Sequence, residues 1–170
     1  MKKSILTCLI LSVALCGAYA SFDGYSSLGV GYSWSDGLSL GGFSSQNFGY
    51  VDSSPIGYLV SVNADFNIAQ EAMTIRMLVG PSWRYMLTNV PMSIDVALGA
   101  ALAGSFISSP AFTLGLGGYI GATYYLNPSL ALLIGCELGG DLMSVDLRTG
   151  EVGWAGTFFA TPSLALGIRY

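Results

Sequence analysis

The sequence predicts an all-β fold: an eight-stranded antiparallel up-and-down transmembrane β-barrel preceded by a cleaved signal peptide. Three observations lead to it. Apolar residues alternate with small or polar ones along most of the chain, and the alternation breaks at turn residues. Charged residues make up only 9% of the chain, against about 25% in soluble domains. The hydrophobic content is 52%, yet beyond the N-terminus no uninterrupted apolar run reaches the roughly 20 residues of a spanning helix.

The first 20 residues have the composition of a secretory signal. Basic Lys2 and Lys3 precede an apolar run over residues 4–17, and the small-residue site Ala18-Tyr19-Ala20 follows. We expect cleavage after Ala20, which leaves residues 21–170 as the barrel. Two alternatives stay open: an uncleaved membrane anchor, and lipidation at Cys16, which the bulky Leu15 before it disfavours.

Eight segments carry the alternation, and each is predicted to be a strand. In chain order they are Gly24–Ser35, Leu38–Tyr50, Ile56–Asn67, Ala72–Met86, Met92–Ser105, Ala111–Tyr125, Leu130–Gly140 and Thr157–Tyr170. Turn-favouring pairs such as Asp-Gly, Ser-Pro and Asn-Pro connect them. Consecutive segments therefore form antiparallel hairpins in one meander.

The second segment, Leu38–Tyr50, is the least regular, because Gly, Ser, Gln and Asn interrupt its apolar residues. A long polar loop is the alternative. A strand brings the total to eight, and an even number returns the chain end to the side where the first strand began. Single-chain outer-membrane barrels have this parity, which favours the strand.

The two faces of each segment differ in composition, and therefore in whether they suit lipid or water. The apolar face of the third segment consists of Ile56, Tyr58, Val60, Val62, Ala64 and Phe66, and that of the fifth of Met92, Ile94, Val96, Leu98, Ala100 and Leu102. The opposite face is mostly Gly, Ala and Ser rather than the Lys, Glu and Thr of a sheet in water. That composition is typical of a narrow lumen with lipid outside.

Aromatic residues on the apolar face gather at the segment ends. One end carries Tyr50, Tyr58, Trp83, Tyr85, Tyr124 and Tyr170, and the other carries Trp34, Phe66, Phe106, Phe112 and Phe158. Tyr and Trp favour the membrane–water interface, because their rings are apolar and their polar atoms reach water. We therefore expect two aromatic belts around the barrel.

Six charged residues fall on the small or polar face: Asp65, Arg76, Arg84, Asp95, Glu137 and Arg169. A turn centred on Asn89–Val90 places Arg84 opposite Asp95, and one centred on Pro128 places Tyr119 opposite Glu137. Arg76 would face Asn63 and lie diagonal to Asp65, while Arg169 could join Arg84 and Asp95. The balance of three acids and three bases predicts a self-paired plug; a gate or solute path is the alternative.

The sequence disfavours catalysis and metal or cofactor binding. It has no histidine, and Cys136 is the only cysteine after the signal, so the usual general base, cysteine–histidine pairs and zinc sites are missing. Glycines 115, 117 and 118 lack dinucleotide-binding spacing. Asp141, Asp146 and Glu151 could hold calcium weakly, but an exposed acidic loop is the better interpretation. No catalytic residue, cofactor or metal is therefore assigned, and no enzyme is expected.

The charge of the chain bears on its partners. The formal net charge is −4, and no lysine follows the signal. Nucleic acid is therefore not an expected partner. We expect a monomer surrounded by outer-membrane lipid.

The stretches "YYLNPSLALLIG" and "SLALGIRY" resemble small eight-stranded outer-membrane barrels of the OmpX, OmpA-barrel and OmpW-like families. Their last strand carries an assembly signal that matches Ser163, Ala165, Ile168 and Tyr170, with Ala165 for the usual Gly and Tyr170 for the commoner Phe. The lipid-facing residues of this signal are Leu164, Leu166, Ile168 and Tyr170. The resemblance implies insertion by the barrel-assembly machinery into the outer membrane of a diderm bacterium.

The longest predicted loop, Asp141–Gly156, would face outward. It contains Leu142, Met143, Val145 and Trp154, which are unusually apolar for an exposed loop and suggest contact with an extracellular ligand, a host surface or lipid. The leading prediction is an outer-membrane barrel with a structural or surface-interaction, adhesin-like role. The alternatives are a channel for small or hydrophobic solutes and a secreted lipocalin-like binder.

Overall fold

The computed structural model describes residues 22–35, 38–51, 54–67, 72–106 and 110–169. The predicted signal peptide and Tyr170 lie outside these residues. Eight strands occupy most of the described chain. They are β1 (Phe22–Ser35), β2 (Leu38–Val51), β3 (Ile56–Asn67), β4 (Ala72–Met86), β5 (Met92–Phe106), β6 (Ala111–Asn127), β7 (Leu130–Asp146) and β8 (Val152–Arg169).

The strands form one closed antiparallel barrel in sequence order, so the predicted up-and-down meander is confirmed. Closure comes from β1 and β8, in which Leu28 faces Leu166 and Val30 faces Leu164. Closing the sheet leaves no strand with unpaired backbone groups, which is a requirement inside a membrane. None of the described residues forms a helix long and apolar enough to cross a membrane.

Most predicted strand limits agree with the structure, and β2 is a strand rather than a polar loop. The predicted loop Asp141–Gly156 is wrong: β7 continues to Asp146 and β8 begins at Val152. Leu142, Met143 and Val145 therefore lie in β7, and Trp154 lies in β8. A register shift between Asp141 and Met143 keeps the two strands paired along the segment that was predicted to be a loop.

Side chains alternate between the outside and the lumen as predicted. Exposed apolar residues cover the outside of the barrel, including Val30, Phe43, Leu98, Leu116, Ile134 and Leu164. Trp83, Tyr85 and Tyr124 are exposed near one set of strand ends, and Trp34, Phe106 and Phe112 near the other. The position of Tyr50 in a belt is wrong, because its side chain is only 2% exposed and points into the lumen.

The lumen also contains a hydrophobic cluster that the alternation did not predict. Phe48, Leu59, Leu78, Tyr119 and Leu133 are each at most 3% exposed and belong to one buried cluster. Leu59, Leu78 and Leu133 have an outward-facing apolar neighbour in sequence, in Val60, Val79 and Leu132 respectively. Of two consecutive apolar residues in a strand, one must point inward. Such pairs are the sequence signal for this cluster.

Candidate functional site

The lower end of the barrel, where β1 begins, contains a polar network centred on Asp95 of β5. We call this set the lower network: Tyr25, Tyr50, Arg84, Ser93, Asp95 and Thr123. The Asp95 carboxylate is fully buried and accepts five hydrogen bonds. The donors are Tyr50 Oη at 2.8 Å, Tyr25 Oη and Thr123 Oγ1 at 2.9 Å, Ser93 Oγ at 3.0 Å and Arg84 Nε at 3.2 Å.

Arg84 lies opposite Asp95 in the β4–β5 register, as the turn-centred argument predicts. Its guanidinium carbon is 3.8 Å from the centroid of the Tyr50 ring and 5.1 Å from that of Tyr25. The arginine therefore combines an ion pair with two cation–π contacts in a buried site. Its flat guanidinium suits this position better than a lysine would.

Arg169 lies further toward the lower mouth, on the lumen side of β8 but exposed. Its guanidinium carbon is 5.6 Å from the Tyr125 ring centroid. The Tyr125 hydroxyl is 3.0 Å from Ser93 Oγ, which in turn donates to Asp95. Arg169 thus lies beside the lower network, in contact with it through an aromatic ring.

The hydrophobic cluster connects the lower network to the rest of the lumen. The ring centroid of Phe48 lies 4.8 Å from that of Tyr25 and 5.4 Å from that of Tyr119. Tyr119 faces Glu137 in the β6–β7 register, as predicted. The Phe48 ring thus lies between Tyr25 of the lower network and Tyr119, which faces Glu137 of the upper part of the lumen.

A second group of polar residues occupies the upper half of the lumen. We call this set the upper network: Ser33, Ser61, Asn63, Asp65, Arg76, Glu137, Asp141 and Thr161. Arg76 is bidentate on Asp141, with Nη1–Oδ1 at 2.7 Å and Nη2–Oδ2 at 3.1 Å. The guanidinium carbon also lies 3.7 Å from the Phe159 ring centroid.

The ion pair of Arg76 differs from the predicted one. Arg76 does lie opposite Asn63 in the register, but its ion-pair partner is Asp141 and not the diagonal Asp65. Asp141 is buried, so its placement in an exposed acidic loop is wrong. The β-bulge beside Asp141 continues the strand and directs this carboxylate into the lumen, and no local sequence pattern signalled it.

The other two carboxylates of the upper network have only uncharged hydrogen-bond partners. Asp65 Oδ2 accepts from Ser33 Oγ at 2.6 Å, and this hydroxyl also lies 2.9 Å from Thr161 Oγ1. Glu137 accepts from Ser61 Oγ and, at 2.8 Å, from Asn63 Nδ2. Neither carboxylate forms an ion pair with any residue in the described part of the chain.

The predicted balance of charge in the lumen is wrong. Among the side chains that the structure describes, four acids are buried there, Asp65, Asp95, Glu137 and Asp141, against the two buried guanidinium groups of Arg76 and Arg84. Asp141 was missed by the sequence reasoning, and Arg169 is exposed near the mouth. The imbalance is confined to the upper network, where three acids accompany one arginine.

The upper ends of β6, β7 and β8 share an apolar outer surface. Cross-strand neighbours align Leu114 with Met143 and Trp154, and Phe112 with Val145 and Val152. We call these six residues the hairpin face. Trp154 is 76% exposed. At 17 and 18 residues, β7 and β8 are longer than β1–β5, which have 12 to 15.

A five-residue turn, 147–151, closes this hairpin. The Asp146 carboxylate accepts the backbone N–H of Arg148 at 2.7 Å and of Thr149 at 3.1 Å. These two hydrogen bonds lower the pKa of Asp146 below its ordinary value, because they stabilise the ionised form. Gly150 adopts a positive φ of 74°, which a glycine tolerates without strain. The turn therefore has a defined shape.

The described residues offer no arrangement typical of nucleophilic catalysis. Cys136 is half-buried and its thiol donates to the backbone carbonyl of its neighbour Glu137. Among the described residues, no three His, Cys, Asp or Glu side chains lie close enough to hold a metal ion together. The polar groups of the lumen instead bond to one another.

Comparison with known proteins finds similarity in structure but not in sequence. No protein-family model matches the chain, and no curated protein matches it. Neisserial surface protein A aligns at a TM-score of 0.60 and 14% identity, over 89% of this chain and 98% of that one. Ail, the attachment invasion locus protein of Yersinia pestis, solved with the heparin analogue sucrose octasulfate, aligns at 0.58 and 15%, over 88% and 99%.

The outer membrane protein OprG from Pseudomonas aeruginosa aligns at a TM-score of 0.59 and 13% identity, over 88% of this chain and 96% of that one. At such identities the likeness concerns the fold. The chain has the fold of the small eight-stranded outer-membrane barrels, as its sequence predicts. Its exposed apolar wall is the surface that such a barrel presents to lipid.

Proposed function

We propose that this outer-membrane barrel acts through its outer surface, and that its lumen is closed. The observation that carries the proposal is the hairpin face, an exposed apolar surface on β6, β7 and β8, the three longest strands. Exposed apolar patches of this kind mark contact sites for proteins or membranes. The most exposed residue on it, Trp154, belongs to a residue type enriched at binding hot spots.

The chemistry of the hairpin suggests an apolar or uncharged partner. In its turn, the cation Arg148 is accompanied by the acids Asp146 and Glu151. Ail is described with a sulfated heparin analogue, and such a polyanion would need a cluster of basic residues. This turn has no such cluster, so the proposed contact relies on apolar burial and not on anion binding.

A direct test of this role compares attachment of bacteria that express the wild-type barrel or the variant Val152→Ser/Trp154→Ser. Cultured host cells and hydrophobic beads serve as two separate surfaces. We expect the double variant to lose most of the attachment conferred by the wild type. Leu147→Ser, in the turn and off the hairpin face, is the matched control and should retain it. Equal attachment by all three strains would contradict a contact role for the hairpin face.

The orientation of the hairpin can be tested independently with a membrane-impermeant maleimide. In a Cys136→Ser background, Thr149→Cys places a thiol in the β7–β8 turn, and Ser129→Cys places one in the β6–β7 turn at the opposite end. We expect Thr149→Cys to be labelled on intact cells and Ser129→Cys only after the outer membrane is permeabilised. The reverse pattern would place the hairpin face on the periplasmic side.

We propose that the lumen is closed because large side chains fill it. Eight large hydrophobic or aromatic side chains are at most 3% exposed inside the barrel: Tyr25, Phe48, Tyr50, Leu59, Leu78, Tyr119, Leu133 and Phe159. An eight-stranded barrel has an interior that side chains just fill. We expect no steady single-channel steps in planar bilayers.

A channel is the second candidate, and the excess of buried acids is the observation that favours it. Such a lumen would prefer cations over anions, because four carboxylates accompany two arginines. Reproducible steps with cation selectivity would replace the closed-lumen proposal with this one. Their absence in wild type, together with steps in a Phe48→Ala variant, would support closure by the hydrophobic cluster.

We also propose that residues 1–20 are removed as a signal peptide, and that the barrel-assembly machinery recognises the end of β8. Leu164, Leu166 and Ile168 face outward and are exposed there. Deleting Tyr170 should reduce the amount of barrel in the outer membrane, whereas Tyr170→Phe should not. Normal levels of the deletion variant would contradict the role of Tyr170.

Removal of the signal peptide is tested separately. Mass spectrometry of the purified protein should give a chain that begins at Ser21.

A further inference from the structure

Two buried oxygen atoms on the lumen face of β3 have no hydrogen-bond partner: Asn63 Oδ1 and Asp65 Oδ1. The two residues are 1% and 2% exposed. They are two positions apart on one strand, so both side chains point into the same part of the lumen. Unsatisfied buried polar atoms are rare in folded proteins and call for an explanation such as a bound ion or water.

The rest of each side chain is held by its neighbours. The Asn63 amide donates through Nδ2 to Glu137, which leaves its carbonyl oxygen without a partner. The Asp65 carboxylate accepts from Ser33 through Oδ2, which leaves Oδ1 without one. Two oxygens of different chemistry are thus held on the same face of β3, two residues apart along the strand.

The charge of the same region points to a positively charged ligand. Arg76 is engaged by Asp141 in a bidentate pair. Asp65 and Glu137 are buried and form no ion pair with any described residue. A buried charge without compensation is strongly unfavourable in a low-dielectric interior. The upper network therefore has two more negative charges than positive ones when its acids are ionised.

We propose that the upper lumen binds one hard cation, of the class of Ca²⁺ or Na⁺, between Asn63 and Asp65 and next to Glu137. Carboxylate, amide carbonyl and hydroxyl oxygens are the ligands these ions prefer. The described acids do not form a cluster of three, so water completes the coordination shell. This inference departs from the sequence prediction of no metal site and is independent of the role of the hairpin.

The test uses the barrel extracted from outer membranes, with thermal unfolding followed by heat-modified gel mobility. The reference buffer contains a chelator and N-methyl-D-glucamine chloride, and Ca²⁺ or Na⁺ is added, with the free ion controlled at constant ionic strength. We expect a saturable rise of the unfolding midpoint with at least one of the two ions. The ion that produces it identifies the valence that the site prefers.

Substitutions test whether the rise of the unfolding midpoint with added cation comes from the upper network. Asp65→Asn keeps the shape of the side chain and removes its charge, so we expect the cation response to disappear and the midpoint in cation-free buffer to rise. Glu137→Gln provides a second variant with the same expected direction. Asp146→Asn, in the exposed turn, is the matched control for surface carboxylates and should keep the wild-type response.

Equilibrium dialysis with radioactive Ca²⁺ and Na⁺ gives a second, direct measurement, in which the wild type should bind one ion per barrel and Asp65→Asn none. A response of equal size in Asp65→Asn would overturn the proposal, because the ion would then act elsewhere. A midpoint that rises on acidification but responds to neither ion would also overturn it, since protons would then neutralise the two acids.

Discussion

The lower and upper networks of the lumen are built from similar residues but differ in how their charges are compensated. In the lower network one carboxylate, Asp95, meets Arg84 and four hydroxyl donors. In the upper network the one arginine, Arg76, pairs with Asp141, and the other two buried acids, Asp65 and Glu137, have no ion-pair partner among the described residues. The Asp95 carboxylate thus has an arginine as its ion-pair partner, whereas Asp65 and Glu137 have none among the described residues, and Asn63 Oδ1 and Asp65 Oδ1 accept no hydrogen bond. The total numbers of acidic and basic residues in the barrel do not reveal this difference between the two networks.

The two networks also connect different parts of the barrel. The donors to Asp95 come from β1, β2, β4, β5 and β6. The upper network links β1, β3, β4, β7 and β8. Between them they hold every strand from inside, so each network stabilises closure over its own part of the wall. Breaking each one in turn tests which contributes more.

The largest effect is expected from Asp95→Ala in the lower network. It leaves Arg84 buried without its carboxylate and removes the acceptor of four hydroxyl groups. Breaking a buried ion pair from one side costs about 3–5 kcal/mol. The free energy of unfolding in urea and heat-modified gel mobility would measure the loss. Asp95→Asn, which keeps two hydrogen-bonding positions, should lose less; an unchanged midpoint in Asp95→Ala would contradict the assigned network.

A somewhat smaller loss is expected from Arg76→Ala in the upper network, toward the lower end of the range of about 3–5 kcal/mol for a broken buried pair, here the pair with Asp141. The second variant, Arg76→Ala/Asp141→Ala, removes both charges. Because the buried carboxylate is then gone as well, the double variant should be more stable than Arg76→Ala alone. Additive losses in a double-mutant cycle would show that the two residues do not interact.

The contact between the networks is tested by Gly135→Ala. A Cβ at Gly135 would meet the hydroxyl and ring of Tyr119, which packs against Phe48. Overpacking of this kind costs about 1–3 kcal/mol. Gly153→Ala is the matched control, because a Cβ there has no neighbour within 4 Å. Urea unfolding of both variants measures the difference, and equal midpoints would show that the lumen beside Tyr119 has room.

The smallest effect is expected outside both networks, from Asp146→Ala in the β7–β8 turn. The substitution removes the acceptor for the N–H groups of Arg148 and Thr149. We expect faster hydrogen exchange of these two amides and little change in the unfolding midpoint. Asp146→Asn retains an acceptor and should protect them. A large shift of the midpoint would mean that the turn contributes to the stability of the whole barrel.

Local sequence was sufficient for features confined to one hairpin. The Arg84–Asp95 register follows from a short turn and two alternating strands, because a tight turn leaves one pairing that keeps both apolar faces outside. The Tyr119–Glu137 register follows in the same way. The strand β2 was predicted from the even number of strands alone, because its own alternation of apolar and polar residues is weak.

Features that join distant strands were not recovered from local sequence. The pair Arg76–Asp141 spans 65 positions and depends on a bulge that the sequence does not signal. Tyr50 was assigned to the lipid face because its segment had no clear alternation, and its contact with Asp95 becomes visible only across the lumen. The hydrophobic cluster was not predicted, because its inward-facing residues, such as Leu59, Leu78 and Leu133, lie on different strands and meet only across the lumen.

The sequence by itself determined the barrel, the direction of each clear face and the pairing within hairpins. These features depend on a period of two residues and on turn chemistry, both of which are local. Only the tertiary structure decided which charges are paired, because closure brings together side chains from strands far apart in sequence. It is also what reveals the uncompensated acids of the upper lumen, since compensation depends on distances across the barrel and not on the number of charges in the chain.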